Sequence, residues 1–308
     1  MVQAKIRDHL NFKNPKTISD GLERPNLAIK VHEIVGTEEK LEKIFKIIQE
    51  KKFQTGSILI YASLIQTVNV ISSFLQRKKI EHLVYHGDLK SSQRQENLKI
   101  FQQQDSPVMV ATPAFGLGID KPNVRQLFHF EIPGSLEAYF QEIGRAGRDA
   151  HLSDIHLLFD EDDLSIQMEF IKWSYPEDAF IRQVYKLIEK NESRIQQEGF
   201  EFLREQMNFK NRRDYRAESS VNILERWGCL ERSKDHFPFK PAREPEDADF
   251  QKEQAQLQFK HQNQKLLDIL RWAQASELSS DECRMLGIYK YFGHEGKACG
   301  ICDLCESQ

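Results

Sequence analysis

Between Leu27 and Phe159 short apolar runs alternate with stretches of helical periodicity, and this alternation limits the fold more than any other feature of the 308 residues. The runs at Leu27–Val35, Ser57–Tyr61, His82–Tyr85, Val108–Ala111, Gln126–Phe130 and Ile155–Phe159 have the length and β-branched content of strands. Glu38–Gln49, Val68–Leu75 and Ser91–Phe101 between them space their apolar residues as helices do, with Ser91 or Ser92 the expected N-cap of the third. Strands joined by helices of this length predict βαβ units and a parallel sheet, so an α/β fold with functional loops at the carboxyl ends of its strands. Ser63, the His86-Gly87 pair and Thr112 each follow such a strand.

The stretch Ala111–Asp149 is the densest in chemistry. A loop holding Thr112, Gly116, Gly118 and Asp120 follows one strand. A helix starting near Ser135 then ends in Gln141-Glu-Ile-Gly-Arg145-Ala-Gly-Arg148. Two arginines on a Gly-interrupted turn either form a surface charge pair or stabilise the charge of a transferring phosphoryl group, and the glycines favour the second. Gln141 lies one turn before Arg145 and shares its face. Asp120 can accept a ribose hydroxyl or close a turn; the residues alone leave both open.

After Asp160 the pattern changes to helices at Ala179–Ile188, Phe200–Met207 and Arg216–Trp227, the last stopped by Gly228. A small hairpin, Cys229–Arg232 with His236–Phe239, follows, and helices plus hairpin predict a winged helix. Lys210, Arg212, Arg213 and Arg216 form a basic cluster there, read as phosphate contacts or as a solvated face. Pro241–Asp249 is acidic and reads as an exposed linker, and Phe250–Gln274 as one long helix.

Four of the five cysteines sit at the end: Cys283, then Cys299-x2-Cys302-x2-Cys305. Four thiolates fill a tetrahedral zinc shell and leave no open position, so the expected site is structural; disulfides are the competing reading, disfavoured in a cytoplasmic protein. Cys229 reads as a packed core thiol. The formal net charge of −4 neither announces nor excludes a nucleic-acid binder. No apolar run approaches a membrane span, and Met1–Leu10 lacks a signal-peptide core. A cytoplasmic protein is expected.

These residues carry a family resemblance. Ala111–Arg125 and Tyr139–Asp149 resemble motifs V and VI of the RecQ family of superfamily 2 DNA helicases. Tyr85-His-Gly-Asp-Leu89 resembles motif IVa, Ile58–Tyr61 the motif IV strand, and Arg24-Pro-Asn-Leu27 the segment joining the two RecA-like domains. Cys283-Arg284, Tyr291-Phe-Gly293 and the Cys299–Cys305 run resemble the zinc-binding domain.

The resemblance implies a RecA-like parallel sheet, followed by the winged-helix-like segment and a helical zinc-binding domain. It implies an ATP-dependent 3′-to-5′ DNA helicase, with ATP and Mg²⁺ in the whole enzyme and structural Zn²⁺ on Cys283, Cys299, Cys302 and Cys305. Arg148 would be the principal arginine finger and Arg145 its partner. Gln141, Asp120 and Gly118 would lie at the nucleotide; Thr112, Ser63 and His86 would meet single-stranded, forked or duplex DNA, to which the residue reading adds Arg212, Arg213 and Arg216. The expected divisions are a connector at 1–30, a second RecA-like domain at 31–162, the winged-helix-like segment at 163–240, and a helical hairpin with the zinc site at 241–308.

Two departures from the family pattern stand out. The chain has no G-x-x-x-x-G-K-[ST] and no DExH box, so a first RecA-like domain is expected upstream and the chain is expected to be inactive as an ATPase alone. About 130 residues separate Arg148 from Cys283, with the winged-helix-like part coming first, whereas better-known members place their cysteines soon after motif VI. A monomer is expected. A non-enzymatic nucleic-acid-binding module built on a helicase-like lobe is the alternative.

Overall fold

A computed structural model describes residues 22–50, 52–53, 55–116, 119–207, 214–234, 237–250, 253–275 and 283–306. Most of the expected connector at 1–30 lies outside them, as do Gly118, Lys210, Arg212, Arg213 and His236.

Six strands form one sheet: β1 (Leu27–Glu33), β2 (Ser57–Tyr61), β3 (Leu83–Tyr85), β4 (Val108–Ala111), β5 (Val124–His129) and β6 (Ser153–Phe159). Their order is β1-β6-β5-β2-β4-β3, and every pairing is parallel. The two-residue period of a strand sorts side chains onto two faces. Ile60, Val110, Phe128 and Leu158 face helices α1 (Thr37–Gln49) and α2 (Ile65–Arg77), which contribute Leu41, Ile44, Val68 and Ile71. Leu59, Tyr61, Met109, Leu127 and Leu157 face the other way. Helix α3 (Ser91–Gln103) adds Phe101 to that side and α4 (Leu136–Ile143) adds Leu136, Tyr139 and Ile143. This is the parallel α/β sandwich that the alternation of elements predicts, with the RecA-like fold that the resemblance implies.

The boundaries differ from expectation in three places. First, Leu27, Ala28 and Ile29 are buried in the sheet, so the lobe starts inside the stretch read as a connector. Second, α5 (Leu164–Ser174) packs Leu164 and Ile171 on the sheet core and belongs to the lobe. Third, Pro241–Asp249 is mostly exposed, as expected, but its end is anchored: Arg243 pairs with the buried Asp249 at 2.6 Å, and Phe250 joins the core beside it. Helix α3 begins after Lys90, whose N–H donates to Gln93 Oε1 at 3.3 Å, so Ser91 and Ser92 lie within the helix and neither caps it.

A second core gathers α6 (Asp178–Lys190), α7 (Glu192–Glu198), α8 (Phe200–Gln206), α9 (Arg216–Arg226) and an antiparallel pair, β7 (Leu230–Arg232) with β8 (Phe239–Pro241). Gly228, at φ +73°, turns the chain from α9 into β7. Cys229 is fully buried there, as a packed thiol should be. A one-turn helix, α10 (Asp247–Phe250), precedes the long α11 (Glu253–Ala273).

The chain then returns to the first core. Leu266, Ile269 and Trp272 of α11, and Met285, Ile288 and Tyr289 of α12 (Arg284–Tyr291), pack with Tyr139 and Ile143 of α4. The cysteine segment, ending in the one-turn α13 (Asp303–Glu306), is therefore built onto the sheet lobe although it lies far from it in sequence. No described helix is long and apolar enough to cross a membrane.

Candidate nucleotide and nucleic-acid faces

Helix α4 starts cleanly because Ser135 accepts a hydrogen bond from Ala138 N at 3.1 Å. It runs back along the sheet from the carboxyl end of β5 and stops at Gly144. The following turn is tied to the opposite ends of the strands. Gly147 N donates to Val124 O at 3.0 Å, and Ser153 Oγ donates to the same carbonyl at 3.0 Å. Arg125, the second residue of β5, grips both oxygens of Asp149. That pair holds the Asp149 carboxyl below the usual carboxylate range, first through the Arg125 hydrogen bond.

Gly147 sits at φ +55°, and a Cβ there would meet Asn26 Nδ2 at 2.4 Å and His151 O at 2.8 Å. Only glycine fits the turn.

The two arginines part company. Arg148 is exposed, donating from Nη1 to Ile119 O at 2.7 Å and to Asp120 Oδ1 at 3.0 Å. Arg145 is buried at 9% exposure and donates to Gly116 O. Its guanidinium braces the loop after β4 from within. Gln141 is exposed on α4, so it and Arg145 do not present one shared polar face. Asp120 stands beside Arg148 with its side chain 90% exposed.

The residues expected to meet DNA follow the carboxyl ends of β2, β3 and β4, away from the arginine turn. Ser63 N donates to Glu131 Oε2 at 2.8 Å, and Ser63 Oγ accepts from Gln167 Nε2 at 3.2 Å. Thr112 and His86 are largely buried, at 9% and 7% exposure, and Thr112 N donates to Tyr85 O at 3.1 Å. Their side chains form the floor of that end rather than a projecting surface. Arg216 is also not a free cation: it pairs with Asp214 at 2.7 Å and stacks over Phe180 at 4.8 Å.

Beneath Ser63 lies a buried polar cluster that pattern reading missed. Lys40, 2% exposed, donates to Phe130 O at 3.0 Å and Asp163 Oδ2 at 2.6 Å. Burial nonetheless raises the Asp163 carboxyl to about 6 and that of Glu131 to about 7. The signal was present: Lys40 stands on the apolar stripe of α1, four residues before Ile44.

The four cysteines converge, with their sulfurs all within 4.8 Å of one another. Cys283 and Cys299 Sγ are 3.5 Å apart, as are those of Cys302 and Cys305. Four sulfurs at about 2.3 Å from a central ion would be about 3.8 Å apart, so the cluster fits a tetrahedral metal. Backbone N–H groups already point at the sulfurs: Cys299 N at 3.2 Å and Leu286 N at 3.5 Å from Cys283, and Arg284 N at 3.3 Å from Cys302. Such a donor set suits thiolate ligands.

Arg284 locks this segment in place. Only 3% exposed, it donates to Trp272 O at 2.7 Å, Ala273 O at 2.9 Å and Asp303 Oδ1 at 3.0 Å. Asp303 Oδ2 in turn accepts from Val31 N at 2.9 Å and so covers part of the exposed edge of β1.

The six-stranded parallel lobe, whose motif helix ends in a braced arginine turn, has a RecA-like fold. The helicase conserved C-terminal domain family matches residues 39–150. An ATP-dependent DNA helicase RecQ of Bacillus subtilis is 35% identical over 186 residues, covering 60% of this chain and 31% of that protein. One of Pasteurella multocida is 35% identical over 158 residues, covering 51% and 24%. A putative ATP-dependent RNA helicase of Acanthamoeba polyphaga mimivirus is 33% identical over 171 residues, covering 56% and 30%. The matched stretch is thus similar to the helicase conserved C-terminal domain and to parts of RecQ helicases. The match spans about a quarter to a third of the length of these curated relatives.

Proposed function

We propose that this chain forms the arginine-bearing lobe of an ATP-dependent 3′-to-5′ DNA helicase. The observation that carries this reading is a mismatch. The turn holding Arg148 is fixed by hydrogen bonds on several sides, yet the 308 residues contain no phosphate-binding loop and no DExH box for it to act with. A finger braced this firmly is built to meet a nucleotide held by another lobe.

Bound ATP and Mg²⁺ supply the scissile phosphate bond and its charge neutralisation. This chain's part is positioning. Arg148 exchanges Asp120 for phosphate oxygens, and the freed Asp120 carboxylate is placed to accept a ribose hydroxyl. Gln141, exposed on α4, faces the same cleft. Arg145 stays buried and transmits movement of the turn to the loop after β4, which begins at Thr112. That loop, with Ser63, His86 and their neighbours at the carboxyl ends of the strands, tracks the backbone of a single strand at a fork. Closure of the two lobes around ATP then couples hydrolysis to stepping.

The four cysteines hold Zn²⁺ as a structural ion, bracing α11 and α12 against the lobe. The second core, three principal helices with a β-hairpin, serves as a winged helix against duplex DNA. We place the working protein as a cytoplasmic monomer.

The test is assembly. This chain alone should show no DNA-stimulated ATPase. Combined with an amino-terminal helicase lobe that carries the phosphate-binding loop, it should restore hydrolysis, and Arg148→Ala should remove it by about a thousandfold or more. Hydrolysis by the chain alone, or an assembly indifferent to Arg148→Ala, would leave the non-enzymatic binding module as the better description. Because one relative is described as an RNA helicase, single-stranded RNA should be run beside DNA; stronger stimulation by RNA would overturn the DNA assignment.

A further inference from the structure

The arginine turn is held by a strap that enters from the far side of the chain. Arg24 N donates to Tyr289 Oη at 2.9 Å. The Arg24 guanidinium then fans over the turn, donating to Gly144 O at 3.3 Å, Gly147 O at 3.2 Å and Ala146 O. Asn26, two residues on, adds Nδ2 bonds to Gly147 O at 2.8 Å and His151 O at 3.0 Å. These carbonyls belong to the end of α4 and the turn beyond it, where the chain has left the helical ladder and needs outside donors.

Tyr289 is itself fixed by the cysteine segment. It is 3% exposed, His294 N donates to its carbonyl at 2.9 Å, and Gly296 lies so close that a Cβ there would sit 2.4 Å from the ring. Gly296 belongs to the loop that leads directly into Cys299. A continuous run of contacts therefore joins the cysteine cluster to the arginine: loop 293–299, Tyr289, Arg24, the carbonyls of residues 144–147, Arg148.

We propose that Arg24 is a positioning residue for Arg148, and that Tyr289 makes this positioning depend on the folded cysteine segment. The proposal rests on the reading of Arg148 as the nucleotide-facing arginine. Arg24 touches no substrate. It acts through the turn, setting where the Arg148 side chain leaves the backbone, and its own cation lies close enough to that of Arg148 to be repelled by it; the Arg24 pKa is lowered by burial and then by Arg148. Bringing a phosphate to Arg148 relieves that repulsion, which favours the nucleotide-bound arrangement.

Amide hydrogen exchange read by mass spectrometry on the whole chain tests the strap directly. Arg24→Ala should speed exchange of the peptide covering residues 144–150 by about tenfold or more, since it strips the turn of hydrogen bonds from a charged donor. Tyr289→Phe, which removes one acceptor, should speed it by a smaller factor. The strands Ser57–Tyr61 and Val108–Ala111 should exchange as before. In the two-lobe assembly Arg24→Ala should lower kcat with the KM for ATP and the affinity for DNA within about twofold, and Arg24→Lys should recover part of the loss. Unchanged exchange at 144–150, or an equal increase in strands and turn, would overturn the strap; so would a kcat unaffected by Arg24→Ala in an assembly that does require Arg148. An assembly that ignores Arg148 altogether would reject the functional reading while leaving the exchange result to decide the strap.

Discussion

Burial rather than charge decides what the polar residues of this lobe can do. Arg145 and Arg148 are three residues apart and chemically identical, yet one is a buried strut and the other an exposed cation. Glu131 shows the same control. It is 4% exposed, and burial raises its carboxyl to about 7 despite the hydrogen bond from Ser63 N. A carboxyl raised in the folded state favours folding while protonated; that contribution is complete below the unfolded value near 4.5 and is lost as pH rises through about 7. Glu131→Gln keeps an acceptor for Ser63 N and never ionises. It should therefore stabilise the chain at pH 8 by about 2 kcal/mol, with little effect at pH 4. Urea unfolding at the two pH values measures the difference, and equal effects at both would reject a raised Glu131.

At the scale of elements, the sheet is held by local pattern and the α11–α12 pair by one side chain. Arg284 joins the last carbonyls of α11 to Asp303, and Asp303 joins that assembly to β1. Replacing it leaves two buried carbonyls and a carboxylate without their donor. Arg284→Ala should cost about 3 kcal/mol, and limited proteolysis should then cut within residues 283–306 before the sheet is touched. Arg243→Ala is the contrasting case: its partner Asp249 lies in the second core, and cleavage should begin there.

At the scale of the whole molecule the described residues form a sheet lobe, packed on both faces of its sheet, and a separate helix–hairpin core, and the cysteine cluster belongs to the sheet lobe. Cys283 and Cys302 pack in one cluster with Tyr139, Trp272 and Leu127, whereas Val184, Phe202 and Leu224 pack apart from them. Calorimetry should therefore resolve two transitions. Chelation, or Cys302→Ser, should destabilise the sheet-lobe transition by roughly 3 kcal/mol or more and leave the second core's transition nearly in place. Two transitions shifting together, or neither shifting, would reject the division.

Much of this was legible in the sequence because the signals are local. Strand runs, helical spacing, the Ser135 cap, the glycine stop at Gly228 and the Cys-x2-Cys-x2-Cys run each depend on residues within a few turns of one another. They determined the α/β class, the place of the arginine turn and the four candidate metal ligands. Tertiary structure alone decided which arginine is exposed, that α5 and the cysteine segment belong to the sheet lobe, and that Arg24 and Tyr289 reach the turn across 120 and 265 residues of separation from their partners. Those outcomes depend on which groups lose contact with water. Desolvation is set by contacts between distant segments, and no short pattern of residue types encodes it.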